Sequence, residues 1–307
     1  MRIRTLLVVA ILLCAAPAFV GAQTQISPKP PFTGKDVELW KQLQTRARDA
    51  QRQNRNIGTG EPFKVLGNLY SVGLPIGNSF LLTSPQGHIL LNTGFADSAE
   101  GLKKNIETLG FKITDVKILV PTHWHNDGGG GTAYLKKETG GTVYAGVADI
   151  PLLERGGEGN QKIPPVKVDR AIFSGDIIKL GPLTVQTYSI PGHSAGSTSF
   201  SFTVREGDAE YRVFQYCCGQ NIPDNVASDP NYSEAAMRHT FEVFRKVLPV
   251  DVYLTGPSNG WMLAEHLAKA KAGDKLAFVD RSTFPAFAAA LEVEFEEKLL
   301  KSNQVKQ

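Results

Sequence analysis

Val116-Lys117-Ile118-Leu119-Val120-Pro121-Thr122-His123-Trp124-His125-Asn126-Asp127 joins an apolar run, broken once at Lys117, to a loop with two histidines and an aspartate at alternate positions. A short apolar run of this kind reads as a strand buried on both faces, as in a parallel or mixed sheet. Imidazoles at i and i+2 directly after such a strand can converge on one ion, and Asp127 reaches the same pocket. Imidazole is the commonest metal ligand. A catalytic zinc takes three protein ligands and leaves one position for water. The third ligand is offered by Pro191-Gly192-His193-Ser194-Ala195-Gly196, again a turn straight after a strand. His123, His125, His193 and Asp127 are therefore the candidate ligand set. His88, beside a turn, and His239 and His266, on expected helices, read as core or surface fillers.

Outward from this stretch the chain alternates strands and helices. Residues 63–66, 69–72, 79–82 and 88–91 have strand texture, and Gln86-Gly87 turns the chain into the last of them. Ser98 is expected to cap a helix that ends at Gly110. A glycine cluster, a helix near 132–138, a strand at 142–145 and a short helix near 148–154 follow. The second half repeats the pattern. Strands are expected at 177–180, 183–189, 199–204 and 211–216, the last two joined through Glu206-Gly207-Asp208. A helix over 233–247, a buried strand at 250–254 and helices near 262–271 and 283–300 complete it. Strands then helices, twice over, predict an α/β fold of two sheets packed face to face with helices outside. Residues 35–53 have apolar positions at helical spacing and read as an extension helix. The expected organisation is a leader at 1–22, a linker and extension helix at 23–61, and one domain at 62–302.

Hydrophobic residues make up 42 % of the 307 and charged residues 21 %, which suits a packed core and excludes a disordered chain. Lys and Arg number 33 against 30 Asp and Glu, and Arg2 and Arg4 of that excess lie in the leader. With no basic block, a nucleic-acid partner is excluded. Met1 to Arg4 are basic, residues 5–20 are almost wholly apolar, and Val20-Gly21-Ala22 offers short residues for cleavage before Gln23. That apolar run is about 16 residues, short of the roughly 20 that span a bilayer, and Leu13 is too bulky for a lipoprotein site at Cys14. The mature chain is expected in the periplasm or secreted, with a small-molecule substrate and no membrane partner. Cys14 leaves with the leader. A bond between the neighbours Cys217 and Cys218 would strain the backbone of its small ring. They are expected to stay unbridged, as small buried hydrophobes in a strand.

Asn92-Thr93-Gly94-Phe95, the His-x-His-x-Asp stretch and Pro191-Gly192-His193 stand in the order of the metallo-β-lactamase superfamily, which this chain resembles. Gly67-Asn68-Leu69-Tyr70-Ser71-Val72-Gly73, Gly87-His88-Ile89-Leu90-Leu91, Pro165-Val166-Lys167-Val168-Asp169-Arg170 and Asp251-Val252-Tyr253-Leu254 are similar to the third subclass of class B β-lactamases. The likeness runs from about Glu61 to Leu300. It implies an αββα sandwich of two mixed sheets with metals at one edge. It also implies a zinc-held hydroxide attacking a carbonyl, usually of a β-lactam amide, and so a role in antibiotic resistance. Asp127 would orient that hydroxide or take its proton as general base.

The departures are informative. The family motif continues with a histidine where this chain has Gly128, the first of four glycines; that run is expected to hold positive φ angles. The family's last histidine ligand falls in Thr255-Gly256-Pro257-Ser258-Asn259, and its aspartate before Thr-Gly is Asn92. The resemblance thus implies a complete first zinc site, His123, His125 and His193, and a second reduced to Asp127. One zinc is expected and a second is left open. Cys218 is the candidate if a thiolate rebuilds the second site; the alternative is a buried strand-end thiol. The functional expectation is an exported zinc hydrolase of the β-lactamase type. Two alternatives stand beside it: a lactone, ester or thioester hydrolase of the same fold, and a degenerate binding protein. Specificity is expected from the loops 74–76, 155–163 and 221–232.

Overall fold

The computed structural model describes residues 26–53, 60–74, 77–218, 222–229, 232–256 and 258–304. The expected leader, Pro75 and Ile76, Asn221 and Pro257 lie outside these residues.

Helix α1 (Gly34–Gln53) leads into a meander of four strands, β1 (Phe63–Leu66), β2 (Leu69–Ser71), β3 (Phe80–Leu82) and β4 (His88–Leu91). Then come α2 (Ala99–Thr108), β5 (Val116–Val120), α3 (Asn126–Gly129), α4 (Thr132–Thr139), β6 (Thr142–Gly146), α5 (Ile150–Arg155), the short pair β7 (Gly157–Glu158) and β8 (Gln161–Lys162), and β9 (Arg170–Ile172). The second half is β10 (Ile177–Leu180), β11 (Leu183–Ser189), β12 (Thr198–Glu206), β13 (Ala209–Gln215), α6 (Glu234–Lys246), β14 (Val252–Leu254), α7 (Leu263–Lys271) and α8 (Thr283–Gln304).

Two mixed sheets result. The first has the order β1-β2-β3-β4-β5-β6-β9, antiparallel up to β4 and parallel from there on. The second runs β10-β11-β12-β13-β14, antiparallel except for β14 against β13. Alternation of side chains across the sheet splits each central strand between two cores. Ile89 and Leu91 of β4 and Ile118 and Val120 of β5 face the core shared with the second sheet. Leu90 and Leu119 face the core that α2 and α4 complete with Leu102, Ile106 and Leu135. That is why these strands read as unbroken apolar runs. On the other side, Phe214 of β13 packs against Phe244 of α6 and Phe284 of α8, with ring centroids 6.2 and 5.0 Å apart. Helix α1 is an extension laid on this body: Leu43 and Ala47 meet Met262 and Ala286, and Trp40 meets Phe287 edge-on at 5.3 Å.

Two local expectations are corrected. Ser98 stands at the N-cap of α2 but makes no side-chain cap; its hydroxyl donates to the Phe95 carbonyl instead. Strands β7, β8 and β9 were not anticipated, being two or three residues long. The placement that matters most is shared by both sheets. The loop after β5 and the loop between β11 and β12 emerge at the same edge, and the Thr198 amide donates to the Thr122 carbonyl at 2.8 Å.

Phe214 is 1 % exposed. Phe214→Ala is expected to destabilise the fold by about 3–5 kcal/mol, read from urea unfolding; a cost below about 1 kcal/mol would show that this aromatic layer is not packed as described.

Candidate metal centre

His123, 3 % exposed, comes off the end of β5, His125 follows as the residue before α3, and His193 comes from the loop between β11 and β12. Their nitrogens converge. His125 Nδ1 is 2.9 Å from His193 Nε2, and His193 Nε2 is 3.2 Å from His123 Nε2. Asp127 Oδ1 lies 3.1 Å from His123 Nε2, and the four ligand atoms fall within 4.8 Å of one another. The four-residue helix α3 turns Asp127 back beneath the imidazoles. His88, His239 and His266 stay apart as fillers: the first stacks edge-on against Phe111, the second lies against the Ser189 carbonyl, and the third sits beside Phe278.

The hydrogen bonds around Asn92 decide which nitrogen of His123 is free. Asn92 holds φ +67°, a left-handed conformation that asparagine tolerates better than most residues. Its Nδ2 donates to the carbonyls of Asn78 and Asp127, so its Oδ1 faces Thr122. The Thr122 hydroxyl gives its single proton to that oxygen at 2.9 Å. It can then only accept from His123 Nδ1, 3.1 Å away. Nδ1 therefore carries the proton, and a neutral His123 turns the lone pair of Nε2 towards Asp127 and His193.

Four potential ligand atoms so close can share one cation. Burial, with repulsion from His123, holds His125 down at about 4. Burial, with the charges of His123 and His125, holds His193 at about 3. Both rings are thus neutral at neutral pH and free to bind a cation. Burial works against the Asp127 carboxylate, but the imidazoles of His123 and His193, in their protonated forms, bond and attract it and hold it at about 2; with those rings neutral the same place is open to a metal cation. Zinc–nitrogen bonds of 2.0–2.1 Å in a tetrahedron set ligand nitrogens about 3.3 Å apart, close to the spacings found here. The donor set fits a divalent metal.

Among the described residues, the donors that cluster beside this first set are the sulfurs of Cys217 and Cys218 near His123. Gly128 packs directly on His123: a Cβ there would lie 2.4 Å from Nδ1. The glycine run holds no positive φ, contrary to expectation; it is helical, and Gly128 is needed for this close approach. The cysteines are corrected twice. Cys217 and Cys218 are joined as a disulfide just beyond β13. Both sulfurs sit 3.8 Å from His123 Nδ1, on the opposite edge of the ring from Nε2 and Asp127. Cys218 is thus no thiolate and no partner of Asp127. Two features escaped the sequence reading. Gln161 of β8 accepts from the Asn126 amide at 3.3 Å, which brings the 155–163 loop to the cluster. Asp149, a buried carboxylate, lies behind both histidine loops.

A family profile described as the metallo-beta-lactamase superfamily matches residues 72–206. The solved structure of the Rm3 metallo-beta-lactamase is 31 % identical, with a TM-score of 0.73, over 84 % of this chain and 98 % of that one. The chain belongs to the metallo-β-lactamase superfamily. BJP-1, a subclass B3 metallo-beta-lactamase of Bradyrhizobium japonicum, is 32 % identical with a TM-score of 0.70, over 83 % of this chain and all of that one. A hydroxyacylglutathione hydrolase of Hyphomonas neptunium is 36 % identical over 105 residues, 32 % of this chain. The chain spans about a third of the length of the curated relatives it matches, 34 % in that case. The fold is that of the superfamily's hydrolases, with a metal-binding cluster at the shared edge of its sheets.

Gly128→Ala places a methyl group against His123. It is expected to weaken metal binding tenfold or more, as loss of a ligand's support does, measured by competition with a chelator. Unchanged affinity would show that His123 can yield its position freely.

Proposed function

We propose that this chain is an exported, zinc-dependent hydrolase of the β-lactamase type that works with one zinc ion held by His123, His125 and His193. The reading is carried by three imidazole nitrogens converging at 2.9 and 3.2 Å beside an ionised carboxylate. It is supported by β-lactamase neighbours that match along most of the chain. Zinc in such a site supplies a Lewis acid and lowers the pKa of water towards neutrality.

The chain's own residues do the rest. Asp127 Oδ1 faces the cluster and is ionised, so it can accept the proton of a water attacking a carbonyl. The same carboxyl can then return that proton to the leaving group. The 155–163 hairpin, held to the cluster through Gln161, is placed to select the substrate.

A second reading is favoured by Gly128. Where relatives are implied to keep a second cation that steadies the leaving nitrogen, this chain has a glycine pressed on His123. An amide nitrogen then leaves with protonation from Asp127 alone. Thioesters and lactones have better leaving groups and lose less. The curated relatives are named for hydroxyacylglutathione, an acyl thioester. A binding protein without catalysis is disfavoured by the complete first ligand set.

Export is part of the proposal, supported by the basic and apolar residues before Gln23. Among the described residues no helix is long and apolar enough to cross a membrane.

The test is metal content with turnover on a cephalosporin, a lactone and an acyl thioester. One zinc per chain is expected, with measurable hydrolysis of the cephalosporin. Asp127→Asn is expected to keep the metal and lower kcat about 10²–10⁴-fold. Hydrolysis of the thioester or lactone with none of the cephalosporin would transfer the assignment to the second reading. No metal and no turnover would reject both. For export, the mass of protein recovered from the periplasm is expected to correspond to a chain beginning at Gln23; a retained Met1 would contradict it.

A further inference from the structure

The three imidazoles come from two loops, and each loop belongs to a different sheet. Residues 121–125 leave the first sheet at β5, and residues 190–197 enter the second at β12. At the sheet ends the Thr198 amide ties to the Thr122 carbonyl at 2.8 Å; the separation of the loops beside the imidazoles is set by further contacts. Asp149 closes the helical turn Val147–Asp149 ahead of α5 and is 1 % exposed. Its Oδ2 accepts from the Trp124 amide at 3.0 Å and from the Ser194 hydroxyl at 2.7 Å. Its Oδ1 accepts from the Gly196 amide at 2.8 Å. Trp124 lies between His123 and His125, and Ser194 follows His193 directly.

We propose that Asp149 is the positioning residue of the metal centre: one buried carboxylate clamps the His123–His125 loop to the His193 loop and so sets the distance at which their nitrogens meet. It touches no ligand ring and no substrate. All three of its partners are donors, which suits an ionised carboxylate with acceptor capacity alone. Among the described residues no lysine or arginine pairs with it, so its bonds are committed to the two loops. The approach is sterically close as well. A Cβ on Gly196 would stand 2.6 Å from Asp149 Cγ, and one on Gly146 would stand 2.1 Å from the Gly196 carbonyl oxygen. A further tie between the loops, the Thr198 amide on the Thr122 carbonyl, lies at their sheet ends rather than beside the imidazoles. A metal constellation has to be held within about 0.5 Å of its working geometry. The clamp is built for that tolerance, because it fixes backbone on both sides.

The inference rests on the zinc reading above, and its test separates the two. Asp149→Asn keeps the shape and turns one acceptor into a donor, so at least one of the Trp124, Ser194 and Gly196 donors faces an N–H group. Zinc affinity, measured by chelator competition on folded protein, is expected to fall 10–100-fold. The visible absorption of the cobalt-loaded protein is expected to shift away from that of a tetrahedral site. Glu292→Gln is the control: Glu292 is a buried carboxylate, 2 % exposed, paired with Arg245 at 2.7 Å on α8. It is expected to lower Tm with zinc affinity and cobalt spectrum unchanged. Should Asp149→Asn not fold, Ser194→Ala removes one donor of the same clamp and is expected to weaken zinc several-fold. An Asp149→Asn protein with lowered Tm but wild-type zinc affinity and spectrum would reduce Asp149 to a structural residue, as would wild-type affinity in Ser194→Ala. A wild type that binds no zinc would overturn the zinc reading and this one together.

Discussion

His123 Nε2, His125 Nδ1, His193 Nε2 and Asp127 Oδ1 are four atoms able to bind a cation, and two loops hold them within 4.8 Å of one another. The rest of the structure serves that convergence. The tautomer of His123 is set by the hydrogen bond that the Thr122 hydroxyl donates to Asn92 Oδ1, which leaves Nε2 with its lone pair inward. Burial keeps the other two rings neutral. The two sheets bring the loops to one edge, and the aromatic layer beneath α6 and α8 seats those helices on the second sheet.

His123 is packed on its Nδ1 side by Gly128 and by the bonded sulfurs of Cys217 and Cys218. That packing holds the ring from behind while Nε2 stays turned towards Asp127 and His193. In the one-zinc proposal, a single cation with one carboxylate base makes the chemistry depend more on the leaving group than a pair of cations would.

Much of this was legible in the residues. The strands β4 and β5 announce themselves as unbroken apolar runs because both their faces are buried. The His-x-His-x-Asp stretch is local, so its convergence could be read from spacing alone. Other features depend on distant partners. Asp149 looks like an ordinary residue at the start of a helix, and its hydrogen-bond partners lie 25 and 45 or more positions away. The four glycines suggest positive φ, but their reason is a ring resting on Gly128. The strain of a small ring argues against a bond between neighbouring cysteines, and the bond formed just beyond β13 is a tertiary fact. Loop 155–163 was named as a specificity element, though nothing in its composition foretold the Gln161 bond to Asn126.

The central claim is that the metal sits on three imidazoles with the sulfurs excluded. X-ray absorption at the zinc edge of the loaded protein tests it most directly. A first shell of three nitrogen ligands at about 2.0–2.1 Å with one light oxygen neighbour, and no sulfur scattering, is the predicted result. A sulfur neighbour at about 2.3 Å would mean that Cys217 or Cys218 binds the metal, and would contradict the account.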